Sequence, residues 1–176
     1  PVLSDKDIAI TAALAKEIWT HHYVPLVGAG QVNYMLSKFQ NEEAIANQIK
    51  DNYLYFLLRS SSDLGYLSVK AEDQHLFISK VYVKADARGR GYGKTLIEKA
   101  ISVAKEHNLH SLRLTVYKYN LDTIAAYEKM GFIKIWQKKQ SQRIVLLKQS
   151  IKSNIRLKLS ITYTSKKSKT SAGRIK

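Results

Sequence analysis

Arg88-Gly-Arg-Gly-Tyr-Gly-Lys94 packs three glycines and three basic residues into one short stretch. An apolar run, Val81-Tyr-Val83, leads into it, and a segment with helical apolar spacing leaves it. A junction of strand, glycine loop and helix start gathers unpaired backbone N–H groups and the positive end of a helix dipole. Phosphate or pyrophosphate is the ligand that suits it. Glycine at 89, 91 and 93 lets backbone N–H groups approach an oxyanion without side-chain obstruction. Arg88 and Arg90 would add charge-assisted hydrogen bonds to it. Taken alone, the loop also reads as an ordinary helix-start turn with solvated charges.

Spacing separates the nucleotide motifs that such a loop can belong to. A Walker loop ending at Gly93-Lys94-Thr95 needs glycine at 88, which is Arg88. A dinucleotide fingerprint starting at Gly89 and Gly91 needs glycine at 94, which is Lys94. What fits is Arg-x-x-Gly-x-Gly, read as Arg88, Gly91 and Gly93. Downstream, Asn120-Leu-Asp-Thr-Ile-Ala-Ala-Tyr-Glu-Lys-Met-Gly-Phe132 forms a second constellation. Asn120 and Tyr127 fall two turns apart on one helix face, a spacing that holds an extended ligand at two points. With both motifs in this order, the chain resembles the GNAT family, the GCN5-related N-acetyltransferases, over about residues 5–136. The polyamine-acetylating PaiA-like branch is the one it resembles most.

That resemblance implies an α/β fold of GNAT type, with a mixed, mostly antiparallel central sheet, splayed at its middle and flanked by helices. It implies acetyl-CoA as co-substrate, bound by Arg88, Gly89, Arg90, Gly91, Gly93 and Lys94, with the backbone of Val81 and Val83 pairing with the pantetheine arm. Tyr127 would protonate the departing thiolate, and Asn120 would contact the pantetheine. Tyr127 also reads as a core aromatic and Asn120 as a helix cap. Phenol and thiol pKa values of about 10 and 8.5 make complete proton transfer in water cost ~2 kcal/mol, which a dry site can offset. The acceptor is read as a small amine, polyamines included, and homodimers are common in the family. An aromatic acceptor pocket would use Trp19, His22, Tyr23 and Tyr34, all of which read equally as helix-packing residues. Where relatives often carry glutamates on the strand, this chain has Phe77 and Ser79. Glu72, His75, His21 and His22 are the substitutes considered, and none is assigned as general base. The histidines show no metal spacing, and no metal is expected.

These residues need elements to hold them. Ser4 and Asp7 open a helix that the proline rule ends near Tyr23-Val-Pro25. A second helix is expected over about 29–38, and a third begins at Asn41, with Glu42 and Glu43 placed against its dipole. Tyr53–Leu58 and Gly65–Lys70 read as an antiparallel hairpin, and Leu76–Val83 as the next strand. Gly91–Glu106 is the strongest helix, with Leu96, Ile97, Ala100, Ile101 and Ala104 on one face. Leu112–Val116 is a strand. Asn120 caps a helix to about Met130, Gly131 stops it, and Phe132–Trp136 starts another strand.

Composition divides the chain. Of its 176 residues, 29 are Lys or Arg and 14 are Asp or Glu, a net charge of +15. From Lys134 onward there are 13 basic and no acidic residues, which leaves the preceding part at 16 against 14. Three segments follow: a core over 1–136, an atypical segment over 137–165, and a basic, disordered tail over 166–176. Arg143–Leu147 would supply a last strand, and Ile155 to Tyr163 alternates as a half-buried strand would. The basic end suits nucleic acid or acidic partners, although an altered reading frame or an artificially added end explains it as well. Nucleic-acid binding is kept as the alternative to catalysis, as is a coenzyme-binding fold without turnover. Cysteine is absent, which removes disulfides, thiolate metal sites and a cysteine nucleophile. No apolar run approaches the ~20 residues of a membrane span, and Pro1–Asp7 lacks a secretory pattern. A cytoplasmic protein is expected.

Overall fold

The computed structural model describes residues 1–136 and 143–149. Three helices come first: α1 (Asp5–Val27), α2 (Ala29–Phe39) and α3 (Glu42–Lys50). The strands β1 (Tyr53–Arg59), β2 (Asp63–Ala71) and β3 (Leu76–Val83) follow, then α4 (Tyr92–Glu106), β4 (Ser111–Tyr117), α5 (Leu121–Lys129), β5 (Ile133–Trp136) and β6 (Arg143–Gln149). Ser4 caps α1 by accepting from Asp7 N at 3.2 Å, and Asn41 caps α3 by accepting from Ala44 N at 2.7 Å. In one respect α1 departs from expectation: it continues through Pro25 and ends only at Gly28, whose φ is 81°. Pro25 forgoes one bond, to the carbonyl of His21 four residues back, and Gly28 N still closes the last turn on Val24 O at 2.9 Å.

The six strands form one sheet in the order β1-β2-β3-β4-β6-β5. Only β3 and β4 pair in parallel; every other neighbour is antiparallel. The sheet is therefore mixed and mostly antiparallel, as expected from the sequence. β6 lies between β4 and β5, so the sheet is completed by residues beyond 136. The expected strand over 155–163 and the basic tail over 166–176 lie outside the described residues, as do 137–142.

Each face of the sheet has its own core. On one side Leu67, Val69, Leu76 and Ile78 pack with Leu96, Ile97, Ala100, Val103 and Ala104 of α4. On the other, Tyr55 and Tyr66 pack with Leu14, Ala15, Ile18 and Trp19 of α1, Val32 and Leu36 of α2, and Ile45 of α3. A bulge in β3 makes the two faces exchange parity. Ser68 pairs with Lys80 and Val69 with Ile78, so Ser79 is the extra residue. Before it, Leu76 and Ile78 face α4; after it, Val81 and Val83 do, while Tyr82 turns to the α1–α3 side. One inserted residue shifts the period-two alternation, as a bulge must.

Candidate active site

Beside that bulge the sheet opens. β3 and β4 pair only at Leu76–Leu112, Phe77–Arg113 and Ile78–Leu114. Past Ile78 no pairing joins the two strands, and β4 is held from its other side by β6. The orientation of the β3 backbone here follows from one bond. Lys84 N donates to Leu64 O at 2.9 Å, and the register pairs Val83 with Gly65 and Val81 with Leu67. Antiparallel ladders alternate hydrogen-bonded and non-hydrogen-bonded pairs, so Val81 and Val83 turn their N–H and C=O groups away from β2 and into the opening. Arg88 Nε reaches one of them, donating to Val83 O at 3.2 Å. β2 approaches this end closely because residue 65 is glycine: a Cβ there would sit 2.3 Å from Tyr82 O.

The glycine loop adjoins the same end of β3. A 3₁₀ turn, Ala85–Ala87, leads to Arg88, and Gly91 is the N-cap of α4 with φ 84°, a conformation costly for any residue with a Cβ. No side chain caps α4, and its first turn holds no acidic residue. Its first N–H groups thus face outward beside exposed Arg88, Arg90 and Lys94. A Cβ built at Gly89, Gly91 or Gly93 would meet no atom within 4 Å. The cradle is open and positive, and its space is of the kind a pyrophosphate fills. Lys84, at the mouth, is bound to Glu17 of α1 at 2.7 Å.

Tyr127 enters from the other flank. Its ring packs against the aliphatic core and edge-on to Phe132, with centroids 5.3 Å apart. Burial, reinforced by Tyr23, pushes its phenol up to about 12. Tyr127 in turn raises Tyr82, after the larger effects of burial, Tyr23 and Tyr66. Tyr23 and Tyr82 belong to the α1–α3 side of the sheet, whereas the Tyr127 ring packs in the α4-side core. Asn120 is the N-cap of α5, accepting from Thr123 N at 3.4 Å. Its φ of −83° and ψ of 68° put it outside the helix proper, and so its side chain does not follow the helical phase that the spacing of seven suggests.

Of the residues expected at an acceptor pocket, Trp19 and Tyr23 stack at 5.1 Å, and Trp19 also meets Tyr82 at 5.7 Å. His22 lies edge-on to Tyr23 at 4.6 Å, and burial, then the nearby charge of Arg88, holds its imidazole below the usual range. Tyr34 is not part of this group and is 57% exposed. His75 and Glu72 are placed elsewhere: they pair with each other at 2.7 Å in the β2–β3 turn. That turn precedes β3, whereas the glycine loop follows it, so the strand's length of roughly 20 Å separates them. Alternation would have revealed Tyr82, which sits between Val81 and Val83. Ser79 is marked only as a strand position where relatives often carry glutamate, and nothing local marks Tyr66, Lys80 or Gln48, because the bulge and the helix packing bring them in.

Comparison with known proteins agrees with this geometry. Residues 17–132 match the family model described as Acetyltransferase (GNAT) family. The spermidine N(1)-acetyltransferase of Thermoplasma acidophilum is 23% identical over 136 residues, covering 74% of this chain and 84% of that protein. The crystal structure of a PaiA N-acetyltransferase from Thermoplasma acidophilum, in complex with coenzyme A, superposes with a TM-score of 0.76 at 20% identity, covering 85% of this chain and 96% of that one. A GNAT family acetyltransferase from Elizabethkingia anophelis with acetyl-CoA bound has a TM-score of 0.51 at 17% identity, covering 60% and 81%. With the glycine cradle, the parted strands and Tyr127 all inside or beside the matched span, the chain belongs to the GNAT family of acetyltransferases.

Proposed function

We propose that the protein binds acetyl-CoA in the cleft between β3 and β4 and transfers the acetyl group to a primary amine by direct attack. The observation that carries this reading is the parting of β3 and β4 past Ile78, where the backbone groups of Val81 and Val83 turn into the opening beside the glycine loop. The cradle formed by Gly89, Gly91, Gly93 and the start of α4 takes the pyrophosphate, helped by Arg88, Arg90 and Lys94. Val81 and Val83 pair with the amides of the pantetheine arm as an added strand would. Asn120 faces the same arm from the start of α5. Arg88 must release the Val83 carbonyl for this to happen, and a phosphate offers it a stronger, charged partner.

Tyr127 supplies the proton to the departing thiolate. Held at about 12, it stays protonated throughout the working range. Against a thiol at its solution value this would make the transfer about 5 kcal/mol uphill. The same dry surroundings that raise the phenol also destabilise a thiolate, however, and the two pKa values move together. A cysteine acyl-enzyme is impossible, since the sequence contains no cysteine, which supports direct attack. Trp19, Tyr23 and Tyr82 form the wall from which the amine approaches, and the named activity of the Thermoplasma spermidine acetyltransferase supports an amine acceptor.

Calorimetric titration of acetyl-CoA into the full chain at moderate salt tests the reading. Micromolar, one-to-one binding is expected, followed by thiol release when amines are added. A folded sample that binds no acetyl-CoA would overturn it.

A further inference from the structure

An amine arrives as an ammonium ion and must lose a proton before it attacks a thioester. Glu72 and His75 lie at the far end of β3, and Glu17 is tied to Lys84. At the apex of the cleft, two other polar side chains meet. Ser79 is the bulge residue and the first residue of β3 beyond its last pair with β4. It is partly exposed. Lys80 follows it and is only 9% exposed. The Lys80 ammonium donates to Ser79 Oγ at 3.3 Å and to Gln48 Oε1 at 2.6 Å. It also lies 5.2 Å from the centre of the Tyr55 ring and 5.7 Å from that of Tyr53.

We propose that Ser79 and Lys80 form the proton-accepting pair of the acetyl transfer, Ser79 Oγ taking a proton from the incoming ammonium and passing its own to the neutral Lys80 amine. This rests on the acetyltransferase reading and assigns the base which that reading lacks. Ser79 touches the substrate; Lys80 acts through it.

The surroundings of Lys80 favour the neutral form that this step requires. From α3 it meets Gln48, a neutral amide. Tyr53 and Tyr55 face it from β1, the latter a phenol raised by burial. β2 contributes Ser68, which pairs with Lys80 in the ladder, and Lys70, whose own ammonium sits 4.8 Å from the Tyr53 ring. Burial is the cause that lowers Lys80 to about 8, with no carboxylate offsetting it. Gln48 also fixes the direction of transfer. Its Nε2 donates to Phe39 O at 3.2 Å, and its Oε1 accepts from Tyr55 and Lys80. That oxygen can only accept, so a neutral Lys80 keeps one N–H on Gln48 and turns its lone pair to the Ser79 hydroxyl.

The proton count closes. The ammonium gives one proton to the pair and becomes a free amine. Its nitrogen bonds to the acetyl carbon as the carbon–sulfur bond breaks, and Tyr127 protonates the sulfur. The amide nitrogen then returns a second proton to Tyr127, and the proton held by Lys80 leaves to solvent as the one proton released overall.

The test is the pH dependence of kcat/KM with saturating acetyl-CoA, using spermidine, propylamine and an alanine-terminated peptide as acceptors. It is paired with an NMR titration of Cε-labelled lysine in the full chain, the Lys80 signal being assigned by its loss in Lys80→Arg. Wild type is expected to rise about tenfold per pH unit and bend near 8. Lys80→Arg keeps the charge but cannot release the proton, so the plateau falls at least about a hundredfold while acetyl-CoA affinity holds. Ser79→Ala falls similarly, and Ser79→Thr retains most activity. Should Lys80→Arg not fold, Gln48→Glu places a carboxylate beside Lys80 and moves the bend up by about a unit or more. A bend unmoved in these variants, or a Lys80 signal titrating at the ordinary lysine value, overturns the proposal and leaves the acetyltransferase reading standing. Acetyl-CoA binding without thiol release for any acceptor overturns both.

Discussion

The two faces of the central sheet are built from different chemistry. Against α4 the core is aliphatic: Leu67, Val69, Leu76, Ile78, Leu96, Ile97 and Leu114, with no hydroxyl or charge among the buried members. Against α1–α3 the buried set contains Trp19, Tyr55 and Tyr66, with Thr11, Gln40, Ser68 and Lys80 buried among or beside them. Tyr66 donates to Gln40 Oε1 at 3.0 Å, and Tyr55 donates to Gln48 Oε1 at 2.8 Å. Aliphatic packing sets α4 against the sheet and offers no group that could carry a proton. The polar, aromatic face carries the strongly shifted Tyr55, Tyr66, Tyr82 and Lys80, whereas Tyr127 packs against the α4-side core. On the proposed reading, the scaffold and the proton-accepting groups lie on opposite faces of one sheet.

The largest expected effect breaks the scaffold side alone. Leu67→Ala, in the aliphatic core, should destabilise the fold by about 2–5 kcal/mol, measured by urea unfolding, with kcat per folded molecule little changed. A larger loss of kcat than of stability would show that the two faces are not separable. Next, Tyr127→Phe should lower turnover about a hundredfold or more while acetyl-CoA affinity changes little; equal activity in that variant removes the assignment of the acid.

The chemical face has its own signature in stability. Lys80 has a folded pKa depressed to about 8, so the unfolded chain binds more protons than the folded one between about 8 and the ordinary lysine value. The burial cost of the charge is fully present below pH 8 and is relieved as pH rises. Stability should therefore gain about 2 kcal/mol between pH 7.5 and 9.5, and this slope should vanish in Lys80→Met. Chemical unfolding at a series of pH values reads the difference. A slope that survives the substitution would place its source elsewhere. The smallest effect belongs to the loop. Arg88→Ala with Arg90→Ala should weaken acetyl-CoA binding by about tenfold at low salt and less at high salt. Unchanged affinity would move the phosphate site.

Much of this was legible in the residues because local rules govern it. The Arg88–Gly93 spacing, the caps at Ser4, Asn41 and Asn120, and the apolar face of α4 each depend on neighbours within a few positions. Pro25 is an exception to the proline rule because it costs a single i→i−4 bond, which the packing of a long helix can absorb. The aromatic cluster is only half visible along the chain: Trp19 and Tyr23 are one helical turn apart, whereas Tyr66 and Tyr82 join them from the sheet and Tyr34 lies exposed. Their association crosses from α1 to β2 and β3, and no spacing along the chain encodes it. Among the described residues no helix is long and apolar enough to cross a membrane.

By itself, then, the sequence determined the element order, the glycine-rich basic loop at the start of α4 and the family to which its motifs belong, since each is set by residue type at fixed short spacing. Only the tertiary structure decided where β3 and β4 part and which backbone groups of β3 face the opening. The reason is the single extra residue at Ser79. A bulge changes register only when a partner strand exists to measure it against, and its consequence is the burial of Lys80 beside the point where the sheet divides.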